Sequence, residues 1–263
     1  MIRKLSAEDR EEVLAMLGKE PARNLFFISD VENFGFDQHF QELWGDFGAE
    51  GTLTAVLLRY ESGYLPYAQG PFDAAGFAEI MLRDPHMEML SGSSEFVELF
   101  FPFLEFRKRK QMFFAELKEV NRESAAAPGD AVIRRAELED VEAVCSLTDI
   151  IEEFEVNPER SRSSLRRALE TGTGRTYLVE REGKVIATAS TTAENSMSAM
   201  VISVATHPDY RGQGLASGVV SALCSELNTE GKSLCLFYDN PKAASIYKRI
   251  GFRDIGDWTM NYR

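Results

Sequence analysis

No apolar run in the 263-residue chain approaches the roughly 18 residues that a membrane-spanning helix requires. The longest, around residues 25–28 and 97–104, are far shorter. The opening MIRKLS leads into a charged helical pattern without an apolar core segment, so no signal peptide is expected. Cysteine is scarce: Cys145, Cys224 and Cys235 are odd in number and not closely spaced, which excludes a disulfide framework. His39, His86 and His207 are scattered, and no Cys/His cluster has metal-ligand spacing. Basic charge is also short, 29 Lys+Arg against 42 Asp+Glu, a net charge of -13 and a pI near 4.8. Nucleic acid and anionic membrane surfaces need a basic footprint, so neither is expected as a partner, whereas a cationic partner is compatible. These absences lead us to expect a cytoplasmic, reduced protein without a metal.

At 44% apolar residues the chain is not a disordered segment. Its length suffices for one large or two ordinary domains of roughly 150 residues. A break is expected at 121–130 (NRESAAAPGD), which is small, polar and punctuated by Pro128 and Gly129. The expected domains are therefore 1–122 and 131–263. Charge divides unevenly: residues 1–130 carry 13 basic and 23 acidic side chains, residues 131–263 carry 16 and 19. An internal repeat supports the same cut. At an offset of 131, Ile2, Arg3, Glu8, Asp9, Glu11 and Val13 meet Ile133, Arg134, Glu139, Asp140, Glu142 and Val144. Each copy reads as a short strand followed by a helix.

In the second half, 138–147 and 160–170 fit helices, the first with Leu138, Val141, Val144 and Cys145 on one face. Strands are expected at 176–180, 185–192 and 199–206, the last (AMVISVAT) apolar enough to be covered on both faces. A helix from Leu215 turns Val219, Ala222, Leu223 and Leu227 inward. A strand at 234–238, a helix at 241–250 and a strand from Phe252 follow. The first half repeats the outline, with strands at 42–47, 53–60, 63–67, 86–90 and 111–118 and helices at 74–82 and 94–101. Phe26, Phe27, Phe100, Phe101 and Phe103 are expected in core packing or at the seam between halves, and the three cysteines in the core.

Two segments carry chemistry. In the first, VATHPDYRGQGLAS at 204–217, an apolar strand ends, a glycine-rich loop turns and a helix begins. The first helical N–H groups lack intrahelical partners, and the helix end carries about half a positive charge. Gly212 and Gly214 let the backbone approach an anion, and Arg211 adds a fork of donors, so the segment reads as a phosphate cradle. Two other phosphate motifs are absent. Gly212–Gly218 has no Lys for a Walker A loop, and Ser217 stands where a dinucleotide fingerprint needs its last Gly. In the second segment, NPKAASIYKRIGF at 240–252, Asn240 is a suitable N-cap, Pro241 a suitable first helical residue and Gly251 a suitable C-cap.

Together, Arg-x-x-Gly-x-Ala at 211–216 and Asn-x-x-Ala-x-x-x-Tyr-x-x-x-Gly-Phe at 240–252 resemble the GNAT superfamily of acyl-CoA-dependent acyltransferases, over residues 131–263. The resemblance implies an α+β fold of two tandem GNAT-like halves, each a mixed, mostly antiparallel twisted sheet flanked by helices. The first half lacks the Arg/Gln-x-x-Gly-x-Gly/Ala loop and reads as a degenerate copy that has lost CoA binding. The resemblance further implies acetyl-CoA as co-substrate. Val204, Ala205 and Thr206 would pair their backbone with the pantetheine arm. The N–H groups of Gly212, Gln213, Gly214, Leu215 and Ala216 would hold the pyrophosphate, with Arg211 and Ser217 at its edge. Asn240 would touch the pantetheine, and Tyr247 would sit near the thioester sulfur as general acid. A phenol near pKa 10 stays protonated at neutral pH, yet can hand a proton to a thiolate whose acid titrates near 8.5.

The acceptor has the opposite need, because an alkyl amine must lose a proton before it attacks. The family often places a Glu on the strand before the loop, but Val201, Ile202 and Ser203 carry no carboxylate. The acidic run of Asp149, Glu152, Glu153 and Glu155 reads either as a solvated turn or as an acidic lip. Such a lip would draw in a cationic amine and supply the base, with Glu194 a further candidate. The expected reaction is direct acetyl transfer to a small-molecule or peptide amine. The rival reading is a non-catalytic acyl-CoA-binding sensor or regulatory module. The sequence leaves the oligomeric state open.

Overall fold

Arg3 and Arg134 make the same contact, one in each copy of the repeat. Arg3 donates from both terminal nitrogens to the Asp9 carboxylate at 2.9 and 2.6 Å. Arg134 does so to Asp140 at 2.6 and 2.8 Å. In each copy the carboxylate also accepts a backbone N–H, from Ser6 and from Glu137, both at 2.8 Å. Val13 and Val144, at the same offset, are both buried. The clasp ties a first strand to the helix that follows it, so the repeat in the sequence is a repeat in contacts.

The computed structural model describes residues 1–36, 38–121, 132–154 and 157–263. Apart from Asn121, the expected break at 121–130 lies outside the described residues, as does Glu155. Two compact units are present: residues 1–114 with 255–263, and residues 115–254. The chain order is β1 (Ile2–Lys4), α1 (Arg10–Leu17), α2 (Leu25–Phe34), β2 (Gln41–Phe47), β3 (Leu53–Tyr60), β4 (Gly63–Ala68), α3 (Ala74–Arg83), β5 (Met89–Ser93), α4 (Ser94–Val97) and β6 (Lys108–Leu117). It continues with β7 (Val132–Arg135), α5 (Val141–Asp149), α6 (Pro158–Thr171), β8 (Thr176–Arg181), β9 (Lys184–Thr192), β10 (Ser198–Thr206), α7 (Leu215–Thr229), β11 (Ser233–Tyr238), α8 (Pro241–Ile250) and β12 (Arg253–Tyr262).

In the first unit β1, β2, β3 and β4 pair antiparallel in order, and β4 pairs parallel with β5. In the second unit β7, β8, β9 and β10 repeat that pattern, and β10 pairs parallel with β11. The α+β fold, with mostly antiparallel sheet and flanking helices, is as the sequence implies. The units depart from a cut at the linker in two respects: residues 115–121 belong to the second unit, and 255–263 to the first. Residues 255–263 belong to the first unit, because β12 pairs antiparallel with β5 from Trp258↔Ser93 to Tyr262↔Met89.

Helix α2 is not evident from the sequence, where LFFISDVENF shows mainly an apolar run of weak helix formers. Burial of Leu25, Phe27, Ile28 and Val31 holds it. The strand expected at 86–90 lies three residues later, at Met89–Ser93. Phe27 and Phe100 are buried as expected, but Phe101 and Phe103 are 40% and 44% exposed. The Arg109 guanidinium lies 5.4 Å from the Phe101 ring and covers it in place of a core. Among the described residues no helix is long and apolar enough to cross a membrane, and no group of His, Cys, Asp or Glu is placed to hold a metal ion.

The clasp generates a pH test. Hydrogen bonds from Arg3 hold the Asp9 carboxyl down, from its ordinary 3.8 to about 2. A depressed pKa adds stability that is complete above the ordinary value and is lost as pH falls from about 4 through 2. Asp9→Asn is expected to cost about 1–3 kcal/mol at pH 7. In urea titrations the gap to the parent chain should close over that acid window. A gap that stays constant to pH 2 would contradict the clasp.

Candidate functional site

Strands β10 and β11 pair only from Ser198↔Ser233 to Met200↔Cys235. Beyond that point β10 runs on to Thr206 and β11 to Tyr238, so their facing edges part. On its other side β10 keeps pairing with β9, but through an irregularity between Ile202 and Ala205. There Ala189 of β9 opposes two residues of β10, Ser203 and Val204, and Ser203 adopts φ +52°, an uncommon conformation for a non-glycine residue. The extra residue resets the alternation. Val201 and Val204 both pack on the core under α7, while Ala205 turns to the other face, against Leu147 and Ile151.

The loop after β10 is short of partners of its own. His207 donates its N–H to the Ile186 carbonyl at 2.8 Å and opens a single 3-10 turn over Pro208–Tyr210. Gly212 and Gly214 follow at φ +78° and +77°. Gly214 is the N-cap of α7 and has no side chain to offer its N–H groups. The first helical bond there is Gly218 N–H to the Gly214 carbonyl at 3.0 Å, so the N–H groups of 212–217 precede it. The Thr206 hydroxyl at the loop entrance is buried and has no hydrogen-bond partner among the described residues. An uncapped helix start, exposed glycines and an orphaned hydroxyl suit a phosphate-bearing ligand.

The corresponding helix of the first unit is built differently. α3 is capped by the Asp73 carboxylate, which accepts the Gly76 N–H at 2.8 Å. That helix start already carries an anion, and a second one would be repelled.

Tyr247 lies on α8, 9% exposed, between the rings of Tyr238 and Phe252 at centroid distances of 5.9 Å each. Burial pushes its phenol up to about 12. No hydrogen bond to its hydroxyl occurs among the described residues. Asn240 caps α8 by accepting the Lys242 N–H at 2.9 Å. The parted edges of β10, the glycine loop and Tyr247 therefore all belong to the second unit, at the same end of β10. The Gln213 carboxamide oxygen accepts from Arg181 at 3.3 Å. Leu215 is buried in the core, and Ala216 and Ser217 are half-buried.

The acidic run is only partly where an acceptor lip would need it. Ile151 and Phe154 anchor the run against Ala205, which brings Glu153 to Arg211 at 3.4 Å. Both are about half exposed. Its own backbone N–H, then Arg211, holds the Glu153 carboxyl below its ordinary value. Glu152 is exposed. Asp149 pairs with Arg162 at 2.9 Å. Glu194 is 7% exposed and held by Arg175 at 3.2 Å, Lys232 at 3.6 Å and the Thr191 hydroxyl at 2.5 Å. It is thereby committed to an ion cluster beside the start of β10. Sequence reasoning missed the Thr206 hydroxyl, whose burial no local pattern announces.

Residues 141–252 match the acetyltransferase (GNAT) family. An uncharacterized N-acetyltransferase, ycf52 of Pyropia yezoensis, is 30% identical over 73 residues, 28% of this chain and 42% of that protein. The chain thus spans less than half the length of that relative. Among solved structures, a tandem GNAT protein from the clavulanic acid biosynthesis pathway covers 100% of this chain and 98% of its own, with a TM-score of 0.64 at 14% identity. A Drosophila protein solved by X-ray crystallography gives a TM-score of 0.73 at 15% identity, covering 100% of this chain and 98% of its own. At such identities the likeness concerns the fold. Residues 141–252 are therefore a domain of the GNAT family, carried in a chain that has the tandem GNAT fold.

Proposed function

We propose that the second unit is an N-acetyltransferase that moves the acetyl group of acetyl-CoA directly to an amine. The observation that carries this reading is the coincidence, at one end of β10, of parted strands, an uncapped glycine-shaped helix start and a buried tyrosine hydroxyl. In this reading the backbone of Val204, Ala205 and Thr206 lines the pantetheine arm. The N–H groups of 212–216 hold the pyrophosphate, with Arg211 and Ser217 at its edge. Bound acetyl-CoA supplies an acyl group already activated as a thioester. The chain's own residues bind it, exclude water and hold a proton at Tyr247 Oη.

In the reaction an N–C bond forms and the C–S bond breaks. An alkylammonium acceptor gives up two protons, one to the departing sulfur and one to solvent. Tyr247 stays protonated through the neutral range, and the apolar setting that raises its pKa also makes a sulfur anion beside it more basic. Covalent relay through cysteine is disfavoured. Cys145, Cys224 and Cys235 are buried, and burial raises all three thiols, so none is a ready thiolate. The absence of a carboxylate at 201–203 favours a second reading, a non-catalytic acyl-CoA sensor.

Tyr247→Phe separates the two. It keeps the ring between Tyr238 and Phe252 and removes the hydroxyl that carries the proton. Steady-state assays should show kcat down by about 100-fold, with acetyl-CoA Kd within about twofold in direct titration. Unchanged turnover would remove Tyr247 from the mechanism. With its phenol near 12, the parent kcat should show no fall from this group between about pH 8 and 10.

The Glu153–Arg211 pair must yield when a pyrophosphate takes Arg211. Glu153→Gln is therefore expected to tighten acetyl-CoA binding by about two- to fivefold at low salt, less at high salt. Weaker binding in that variant would overturn the competition.

A further inference from the structure

We infer that the Glu116 carboxylate receives the acceptor amine as its ammonium, an inference that rests on the acyl-transfer reading above. Ala115 and Leu117 of β6 are 1% and 0% exposed and belong to the core beneath α7 and α8. Strand alternation therefore sends Glu116 to the opposite face. Within the second unit β6 neighbours β11, whose Leu234 and Leu236 share that core. Cys235 and Phe237 are thus on Glu116's face. Cys235 is also the last residue of β11 paired with β10, so it marks the point where the strands part. The Glu116 charge is close enough to help push the Cys235 thiol up, second to burial.

The carboxylate is weakly paired there. Its side chain is 13% exposed, and its ion pair among the described residues is with the Lys118 ammonium at 3.7 Å, which is itself 80% exposed. No hydrogen bond to the Glu116 carboxylate occurs among the described residues. A carboxylate shielded from most of its water and paired only with so exposed an ammonium gains from a second, better-shielded cation.

Three other acids of the second unit are already engaged. Glu153 is on Arg211, Glu194 on Arg175 and Lys232, and Asp254 on Lys248 at 3.0 Å and on the Tyr238 hydroxyl at 2.5 Å. The α7–α8 face is closed by core side chains, so an acceptor reaches the parted strands from the face that holds Glu116. The ligand class that suits one under-solvated carboxylate beside an apolar strand is a primary alkylammonium, with its compact charge and three donors.

The test compares the parent chain with Glu116→Gln, using acetyl-CoA and three amines. Spermidine and a lysyl peptide are alkylammonium ions at pH 7, whereas aniline is neutral. Glu116→Gln should raise KM for the two alkylamines by about tenfold or more, and leave aniline KM and acetyl-CoA Kd within about twofold. Unchanged alkylamine KM would overturn the role of Glu116 and leave acyl transfer standing. An equal loss with aniline would mark a structural effect and also overturn it. No transfer by the parent chain to any of the three would overturn both readings. Should Glu116→Gln fail to fold, Glu116→Asp, which withdraws the carboxylate by one methylene, carries the same comparison. A selective rise of about threefold is then expected, and none would sink the inference.

Discussion

The second unit is organised by the place where two parallel strands stop pairing. β10 and β11 share three residue pairs and then separate after Met200↔Cys235. Unpaired backbone donors and acceptors inside a sheet are costly, so strands part only where something else meets those groups or holds them apart. Here the holding is done from both faces. Leu215, Val219 and Leu223 of α7 pack on Val201 and Leu236 from one side, and Leu147 and Ile151 pack on Ala205 from the other. The irregularity at Ser203 lets one strand serve both faces by shifting its alternation by one residue. The loop, the helix start and Tyr247 all take their positions from that separation.

The two units show how a duplicated framework acquires different chemistry. Both keep the arginine–aspartate clasp, the four antiparallel strands and a parallel fifth strand. They differ at the start of the helix after the fourth strand. In the first unit the N-cap is Asp73, and its carboxylate satisfies the helix N–H groups and repels anions. In the second it is Gly214 at φ +77°, which satisfies none of them and leaves space for an anionic ligand. A change of side chain at one cap thus separates a helix end satisfied by its own carboxylate from one that suits an anion, without altering the framework.

Charge in the second unit is distributed with similar economy. Its acids are mostly paired: Asp140 with Arg134, Asp149 with Arg162, Glu194 with Arg175 and Lys232, and Asp254 with Lys248. Glu153 is paired with the cation that a phosphate would need. Glu116, on the strand next to β11, is paired only with the largely exposed ammonium of Lys118.

The residues that shape the glycine loop and the cap of α8 were legible in the sequence because their conformations are local. Glycines at 212 and 214 announce positive φ, Asn240 and Pro241 announce a helix start, and Tyr247 falls at a set spacing from that cap. The repeat of Arg3 and Asp9 at Arg134 and Asp140 was legible for the same reason, since each pair closes over six residues. What the sequence did not reveal depends on pairings between distant segments. Residues 255–263 join the first unit through bonds to β5 more than 160 residues earlier. Glu153 meets Arg211 across 58 residues, and Glu194 is taken out of play by Arg175 and Lys232. Glu116 acquires its meaning only from the strand beside it. Local conformation is written in neighbouring residues by steric and hydrogen-bond rules. Which charges meet, and which face of a strand a ligand can reach, is decided only when the sheet closes around them.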